Sequence, residues 1–193
     1  MSTAAASPAF MCKLKDRKEV AEGTLAFWFE KPLGWTFKAG QYLDMTLLDP
    51  TETDSEGNVR SFSIASAPYE ETLMVATRMR DTAFKPVLKT MPLGTIVKIE
   101  GPSGDLILQN NAALTVVLLA GGIGITPFRS MVFLAAEERL QPRIFLFYSN
   151  PRPEDAPFLA ELQSLERNNP KYKLIASMTE MEKSHQSRNG ETV

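Results

Sequence analysis

At 193 residues the chain has room for one ordinary domain or two small ones, and 44% apolar with 23% charged residues excludes a disordered or fibrous polymer. Twenty-one basic against twenty-three acidic side chains leave a net charge of −2, which gives no electrostatic drive toward nucleic acid or an anionic membrane. The single cysteine, Cys12, excludes an internal disulfide and any iron–sulfur or zinc centre built from clustered thiolates.

Met1–Pro8 has neither a basic flank nor an extended apolar core, and no apolar run is long enough to cross a bilayer, so a cytoplasmic protein is expected. From Phe10 to about Leu108 short alternating or aromatic-rich runs follow one another: Met11–Lys18, Thr24–Glu30, Gln41–Leu48, Arg60–Ala65, Leu73–Met79 and Thr95–Glu100. Gly57-Asn58, Pro68, Pro92-Leu-Gly94 and Gly101-Pro-Ser-Gly104 punctuate them, which points to a small antiparallel barrel of Greek-key type. The basic run Lys13–Lys18 is read as a solvated strand face, and Phe27, Trp28 and Phe29 as barrel core and edge.

After Gln109 the pattern changes. Leu114–Ala120 is a continuous apolar run, expected as a strand buried on both faces of a parallel sheet. Thr126 as N-cap and Pro127 at the first helical position open a helix with an apolar stripe at Phe128, Met131, Val132 and Ala135. A strand over Arg143–Tyr148, a helix over Asp155–Arg167 and a strand over Tyr172–Met178 complete an alternating α/β pattern. The expected division is an antiparallel β-barrel domain over residues 10–108 and a Rossmann-like parallel α/β domain over 110–193. The polar stretch Glu182–Asn189, with the lone His185, reads as a solvated loop.

Two segments carry candidate chemistry. Gly121-Gly-Ile-Gly-Ile-Thr-Pro127 lies between a buried strand and a capped helix, where glycines let a pyrophosphate reach the N–H groups of a helix start. This makes Gly121, Gly122, Gly124, Ile125 and Thr126 candidate nucleotide-binding residues. Arg60-Ser-Phe-Ser-Ile-Ala-Ser66 is a polar strand whose alternation puts Arg60, Phe62 and Ile64 on one face and Ser61, Ser63 and Ala65 on the other.

Taken together, the two segments resemble the ferredoxin–NADP⁺ reductase superfamily, whose flavin motif Arg-x-Tyr/Phe-Ser-x-x-Ser is matched at Arg60, Phe62, Ser63 and Ser66. Phe37–Tyr42, Leu73–Met79, Gly94–Gly104 and Tyr148-Ser-Asn150 stand in the same order as the family's further motifs. The resemblance implies an FAD-binding barrel and an NADP- or NAD-binding domain. It assigns Arg60 to the FAD pyrophosphate, Ser61 and Ser66 to the same cofactor, Phe62 to its ring or ribityl chain, and Ser63 as the catalytic residue beside flavin N5.

The family's diphosphate turn is replaced here by Arg80-Asp-Thr-Ala-Phe-Lys85. There Met79, Thr82 and Lys85 are the candidate contacts, with Asp81 an opposing charge unless it serves as a cap. No acid follows the second strand of the α/β part at once, so Ser149, Asn150 and Arg152 are candidates for a 2′-phosphate, with NADPH favoured slightly over NADH. The resemblance further implies hydride transfer from NAD(P)H to FAD and electron delivery to an acceptor protein such as ferredoxin or flavodoxin. The alternative is a flavin- or nucleotide-binding regulatory or electron-transfer subunit without independent turnover. Family members continue to a Cys-Gly-Pro-like segment and a last strand, so the α/β part is expected to be incomplete.

Overall fold

The computed structural model describes residues 8–80 and 82–185. The antiparallel part comprises β1 (Ala9–Ala21), β2 (Thr24–Glu30), β3 (Tyr42–Leu47), β4 (Val59–Ser63), β5 (Thr72–Arg78), a short helix α1 (Phe84–Thr90) and β6 (Ile96–Ser103). The α/β part follows as β7 (Thr115–Gly121), α2 (Thr126–Glu137), β8 (Arg143–Asn150), α3 (Leu159–Asn168) and β9 (Tyr172–Met178).

Strand order in the first sheet is β4-β3-β6-β1-β2-β5, all antiparallel. β6 lies between β3 and β1, so the chain crosses over instead of meandering, as a Greek key requires. The sheet curls until its edge strands touch. Ile64 forms a single bridge with Val75, and the Ala65 N–H donates to Met74 O at 2.8 Å. The expected barrel is therefore barrel-like, with one bridge at the seam in place of a continuous ladder. Its interior holds Leu14, Phe27, Phe29, Leu43, Met45, Phe62, Ile64, Val97 and Ile99, roofed by Phe84 and Leu88 of α1. Residues facing out of each strand alternate with these, the period-2 pattern visible in the sequence.

The second sheet is parallel, in the order β7-β8-β9, with Gly121 opposite Ser149 and Asn150 opposite Met178. Leu118, Ala120, Ile144, Leu146, Tyr148, Tyr172 and Leu174 form its covered face against Met131, Val132 and Ala135 of α2 and Leu162 of α3. Contrary to expectation, β7 is not buried on both faces: Val117 is 55% and Leu119 70% exposed, with Phe147 of β8 beside them at 43%. Both crossover helices pack on one side, so the apolar run follows the composition of a doubly covered strand while only alternate residues are buried.

Two helix boundaries also differ from the sequence reading. A 3-10 turn over Gly122–Ile125 runs straight into α2, and Thr126 is already helical at φ −54°, ψ −50°. Its hydroxyl donates to Ile123 O at 3.2 Å instead of capping the helix. In the expected Asp155–Arg167 helix, Pro153–Asp155 forms a separate 3-10 turn and α3 begins only at Leu159, because Phe158 adopts φ +63°. Left-handed backbone at a bulky residue interrupts the helix, and the buried ring holds the turn in place.

The two parts share one core. Ala26, Ala39, Ala65, Met74 and Ala76 from the first sheet pack with Leu118, Ile125, Met131 and Val132 from the second part. Gly40 makes the close approach possible. At φ +100°, a Cβ there would lie 2.0 Å from Leu106 O and 2.2 Å from Met131 Cε, so only glycine fits. Among the described residues, no helix is long and apolar enough to cross a membrane.

Candidate functional site

The glycine turn lies at the carboxyl end of β7, where ligands gather in open parallel sheets. Gly121 ends the strand in extended backbone, and Gly122 turns the chain at φ +51°. Gly121 and Gly124 are exposed, whereas Ile125 and Thr126 are buried and anchor the turn to the core. The buried Tyr148 hydroxyl lies 3.3 Å from Gly122 O and 3.1 Å from Pro157 O, tying the turn to the chain after β8. Burial pushes that hydroxyl's pKa up, so it stays a protonated donor.

β4 divides its side chains as its alternation requires. Phe62 turns into the barrel core and meets Phe84 with ring centroids 5.9 Å apart; the Arg60 guanidinium lies 5.3 Å from the same ring. On the other face the Ser61 hydroxyl donates to Asp44, and Ser63, opposite Tyr42, has a hydroxyl without a protein partner among the described residues. Ser66 is buried, its Oγ accepting the Met74 N–H at 3.0 Å.

Arg60 is fully engaged. One nitrogen, Nη2, lies 2.8 and 3.1 Å from the two Asp54 carboxylate oxygens and 3.1 Å from Glu56 Oε2. The other, Nη1, donates to the carbonyls of Glu56, Gly57 and Val59 at 2.8–3.1 Å. Asp54 Oδ2 also accepts the Ala83 N–H at 3.3 Å, at the start of α1, so this carboxylate bridges the arginine and the helix. The Arg60 bond, before all else, holds the Asp54 pKa below its usual range. A cleft of about 460 Å³ opens here, lined by Glu52, Asp54, Ser55, Glu56, Thr82, Ala83 and Pro86.

The remaining candidates near α1 are arranged locally. Thr82 Oγ1 accepts the Lys85 N–H at 3.4 Å, and Lys85 Nζ donates to Arg78 O at 2.7 Å. Burial, then the neighbouring Arg80 and Arg60, lowers the Lys85 pKa. Met79 donates its N–H to Gly23 O at 2.7 Å. Asp81 lies outside the described residues.

The motif strand and the glycine-turn helix meet directly. Ser130 Oγ donates to Ser66 O at 2.7 Å, and Arg129 Nη1 donates to Ala65 O at 2.9 Å. Arg129 is itself buried, reaching Glu70 at 3.0 Å on one side and Glu161 at 2.8 Å on the other, with the Phe133 ring 4.3 Å from its guanidinium. Sequence reading missed this residue. The only signal it leaves is an arginine interrupting the apolar stripe of α2.

At the end of β8, Ser149 is exposed and Asn150 buried. Arg152 is held in a clamp: Nε and Nη2 lie 2.7 and 2.9 Å from the Asp155 oxygens, and Nη2 lies 2.6 Å from Glu22 Oε2. Glu22 comes from the β1–β2 turn of the first sheet, and its N–H donates to Glu154 O at 2.7 Å. Arg78 of β5 lies 3.7 Å from Asp155. Glu154 accepts from the Ser184 hydroxyl and from the His185 N–H, so His185 contributes its backbone while its side chain is exposed. Among the described residues no cluster of His, Cys, Asp and Glu is arranged to hold a metal.

Comparison with known proteins agrees with this fold. The oxidoreductase NAD-binding domain family matches residues 118–193. Flavohemoprotein A of Dictyostelium discoideum is 24% identical over 169 residues, covering 80% of this chain and 42% of the relative. An NADPH oxidoreductase of Mycobacterium tuberculosis is 29% identical over 161 residues, covering 78% and 41%. The chain thus spans about two fifths of the length of these relatives. Among solved structures, a ferredoxin NADP⁺ reductase from Neisseria gonorrhoeae with bound FAD and NADP superposes with a TM-score of 0.74 at 22% identity, covering 89% of this chain and 69% of that one. The chain thus shares the fold of a ferredoxin NADP⁺ reductase, and its residues from within β7 onward match the oxidoreductase NAD-binding domain family.

Proposed function

We propose that the chain is the cofactor-binding part of an NAD(P)H-dependent flavoprotein reductase, with residues 10–108 taking FAD and 110–193 taking the nicotinamide nucleotide. One observation carries the reading: the segment following Ser63 is hydrogen-bonded through Ala65 O and Ser66 O to Arg129 and Ser130, one turn beyond Gly121–Thr126. That contact brings an arginine-and-serine strand to a glycine-lined helix start, the juxtaposition a flavin and a nicotinamide need. The FAD and NADP bound in the Neisseria gonorrhoeae structure support FAD with NADP or NAD as the cofactor pair.

The antiparallel part fits a diphosphate, because the required donors already hold an anion. Arg60 Nη2 and the Ala83 N–H both bind the Asp54 carboxylate, and a phosphate oxygen accepts from the same two donors once the Asp54 loop withdraws. Met79, Thr82 and Lys85 would flank that group, and Ser61, Phe62 and Ser66 would shape the strand beneath it. When bound, the flavin supplies a hydride acceptor at N5 and passes electrons on singly. Ser63, whose hydroxyl is uncommitted, would donate a hydrogen bond beside N5. Backbone N–H groups of the Gly121–Ile125 turn would receive the nucleotide pyrophosphate, with Thr126, whose N–H is bonded to Ile123 O, closing the turn behind them. Onward transfer would be to an acceptor protein such as ferredoxin or flavodoxin.

Titration of the purified protein with FAD, followed by flavin fluorescence, tests the reading. We expect saturable quenching, weakened about tenfold or more by Arg60→Ala, since a charge-assisted hydrogen bond contributes about 1.5–3 kcal/mol. Oxidation of NADH or NADPH with ferricyanide as acceptor then tests turnover. A wild-type protein that takes up no flavin sinks the proposal.

A further inference from the structure

The clamp on Arg152 bears on which nicotinamide nucleotide is taken, and the argument rests on the nucleotide site proposed above. In a parallel sheet of this kind the adenosine ribose lies beyond the end of the second strand, where a carboxylate receives a 2′-hydroxyl and an arginine receives a 2′-phosphate. β8 is that strand. Its Ser149 is in register with Gly121, and Arg152 follows three residues later, just past the end of the strand. From sequence Arg152 is a candidate phosphate ligand; in the structure it is already paired with two carboxylates.

Asp155 takes Nε and Nη2 of the guanidinium together, the bidentate geometry that a phosphate would use. Glu22 takes Nη2 again from the outer side. With Arg78 and Glu154 included, this corner holds two cations and three carboxylates, and a dianionic 2′-phosphate would enter against net negative charge. The Glu22 side chain, 57% exposed, keeps Oε1 without a protein partner among the described residues, an acceptor suited to a ribose hydroxyl.

We infer that Glu22 and Asp155 are specificity-determining residues that set the site for the unphosphorylated nucleotide, NADH, by occupying Arg152. Glu22 comes from the antiparallel part, so no motif within the α/β part contains the whole determinant.

The test is calorimetric titration of the FAD-loaded protein with NADH and with NADPH, alongside the adenine fragments 5′-AMP and 2′,5′-ADP, which read the ribose site without any turnover. Wild type is expected to bind NADH and 5′-AMP at least roughly tenfold more tightly than their 2′-phosphorylated counterparts. Glu22→Gln, a change at an exposed side chain that keeps the shape and removes the charge, is expected to strengthen NADPH and 2′,5′-ADP binding roughly fivefold, with 5′-AMP changing much less. Adding Arg152→Gln to that variant should abolish the gain, which a merely structural role for Glu22 would not produce. Equal or tighter wild-type binding of the 2′-phosphorylated ligands overturns the inference alone, as does a Glu22→Gln effect shared equally by both classes. Binding of neither class overturns the nucleotide site itself, and this inference with it.

Discussion

Replacing Arg129 with alanine should uncouple the two halves of the molecule. The guanidinium is buried and is the only donor to Ala65 O outside the backbone among the described residues, so its loss leaves a fully buried carbonyl with one bond fewer. An orphaned buried acceptor costs about 1–3 kcal/mol. Glu70 and Glu161 are 26% and 46% exposed and rehydrate when the arginine goes, so each of those pairs contributes only about 0.5–1 kcal/mol. The Phe133 contact at 4.3 Å adds about 0.5–1 kcal/mol. Together the expected loss is about 2.5–6 kcal/mol, and it falls on the contact between the parts. Urea unfolding reads both consequences. At a slope of about 2–3 kcal/mol per molar, the midpoint should fall by about 1–3 M. Tryptophan fluorescence reports the antiparallel part, which contains both Trp28 and Trp35, while far-UV circular dichroism is weighted to α2 and α3. Coincident transitions in the wild type should separate in Arg129→Ala. Glu161→Gln, touching only the outer carboxylate, should cost no more than about 1 kcal/mol. A loss under about 1 kcal/mol for Arg129→Ala, with transitions still coincident, would refute this account of the junction.

Two further outcomes follow from named positions. Gly40→Ala places a methyl 2.0 Å from a backbone oxygen at φ +100° and should cost more than about 3 kcal/mol by thermal unfolding, whereas Gly34→Ala, at φ +74° in open space, should cost only about 1–2 kcal/mol of backbone strain; similar values for the two would remove the close approach as the cause. Cys12 is buried in the barrel core and its thiol is pushed up to about 12, chiefly by burial and then by Glu30. It should resist alkylation at pH 8 in the folded protein and react readily in urea. Because its folded pKa is raised, stability should decline as pH rises from the ordinary thiol value of 9.0 toward about 12, and rapid native labelling at pH 8 would contradict this.

Much of the architecture was legible because it follows from local rules. Alternating or aromatic-rich runs between turn signals located the six strands of the first sheet, and the change to a continuous apolar run followed by Thr126-Pro127 located the start of the α/β part. Errors arose where tertiary structure overrides local preference. Leu114–Ala120 is apolar at every position, yet which faces are covered depends on where the crossover helices pack, and composition does not encode that. Thr126-Pro127 reads as a cap and first turn, yet the preceding glycines already wind into a 3-10 turn, leaving no free N–H for the hydroxyl to satisfy. Phe158 in left-handed backbone carries no glycine or asparagine signal at all. In the candidate site, the motif residues were legible, but their partners were not. Asp54, Glu22, Asp155 and Arg129 are ordinary surface-type residues in sequence, and their roles come from contacts spanning up to 130 positions.

These partners distinguish the two arginines that sequence reading treats alike. In a chain of nearly balanced charge, an arginine left near acidic loops finds a carboxylate, so an anionic ligand arrives as a competitor. At Arg60 the competitor is Asp54, whose side chain is 30% exposed on the loop 48–58 between β3 and β4. On the proposed site, swinging that loop outward would rehydrate the carboxylate and return both the guanidinium and the Ala83 N–H to an incoming phosphate. At Arg152 the competitor is Asp155, 8% exposed and fixed three residues away within a 3-10 turn. Releasing Arg152 would leave this buried carboxylate with Arg78, 3.7 Å away, as its remaining cation, a larger loss than rehydrating an exposed acid. The first carboxylate would therefore be a replaceable stand-in for a ligand. On the proposed sites the second would belong to the wall, and the same type of ion pair would admit a phosphate at one cofactor and reject it at the other.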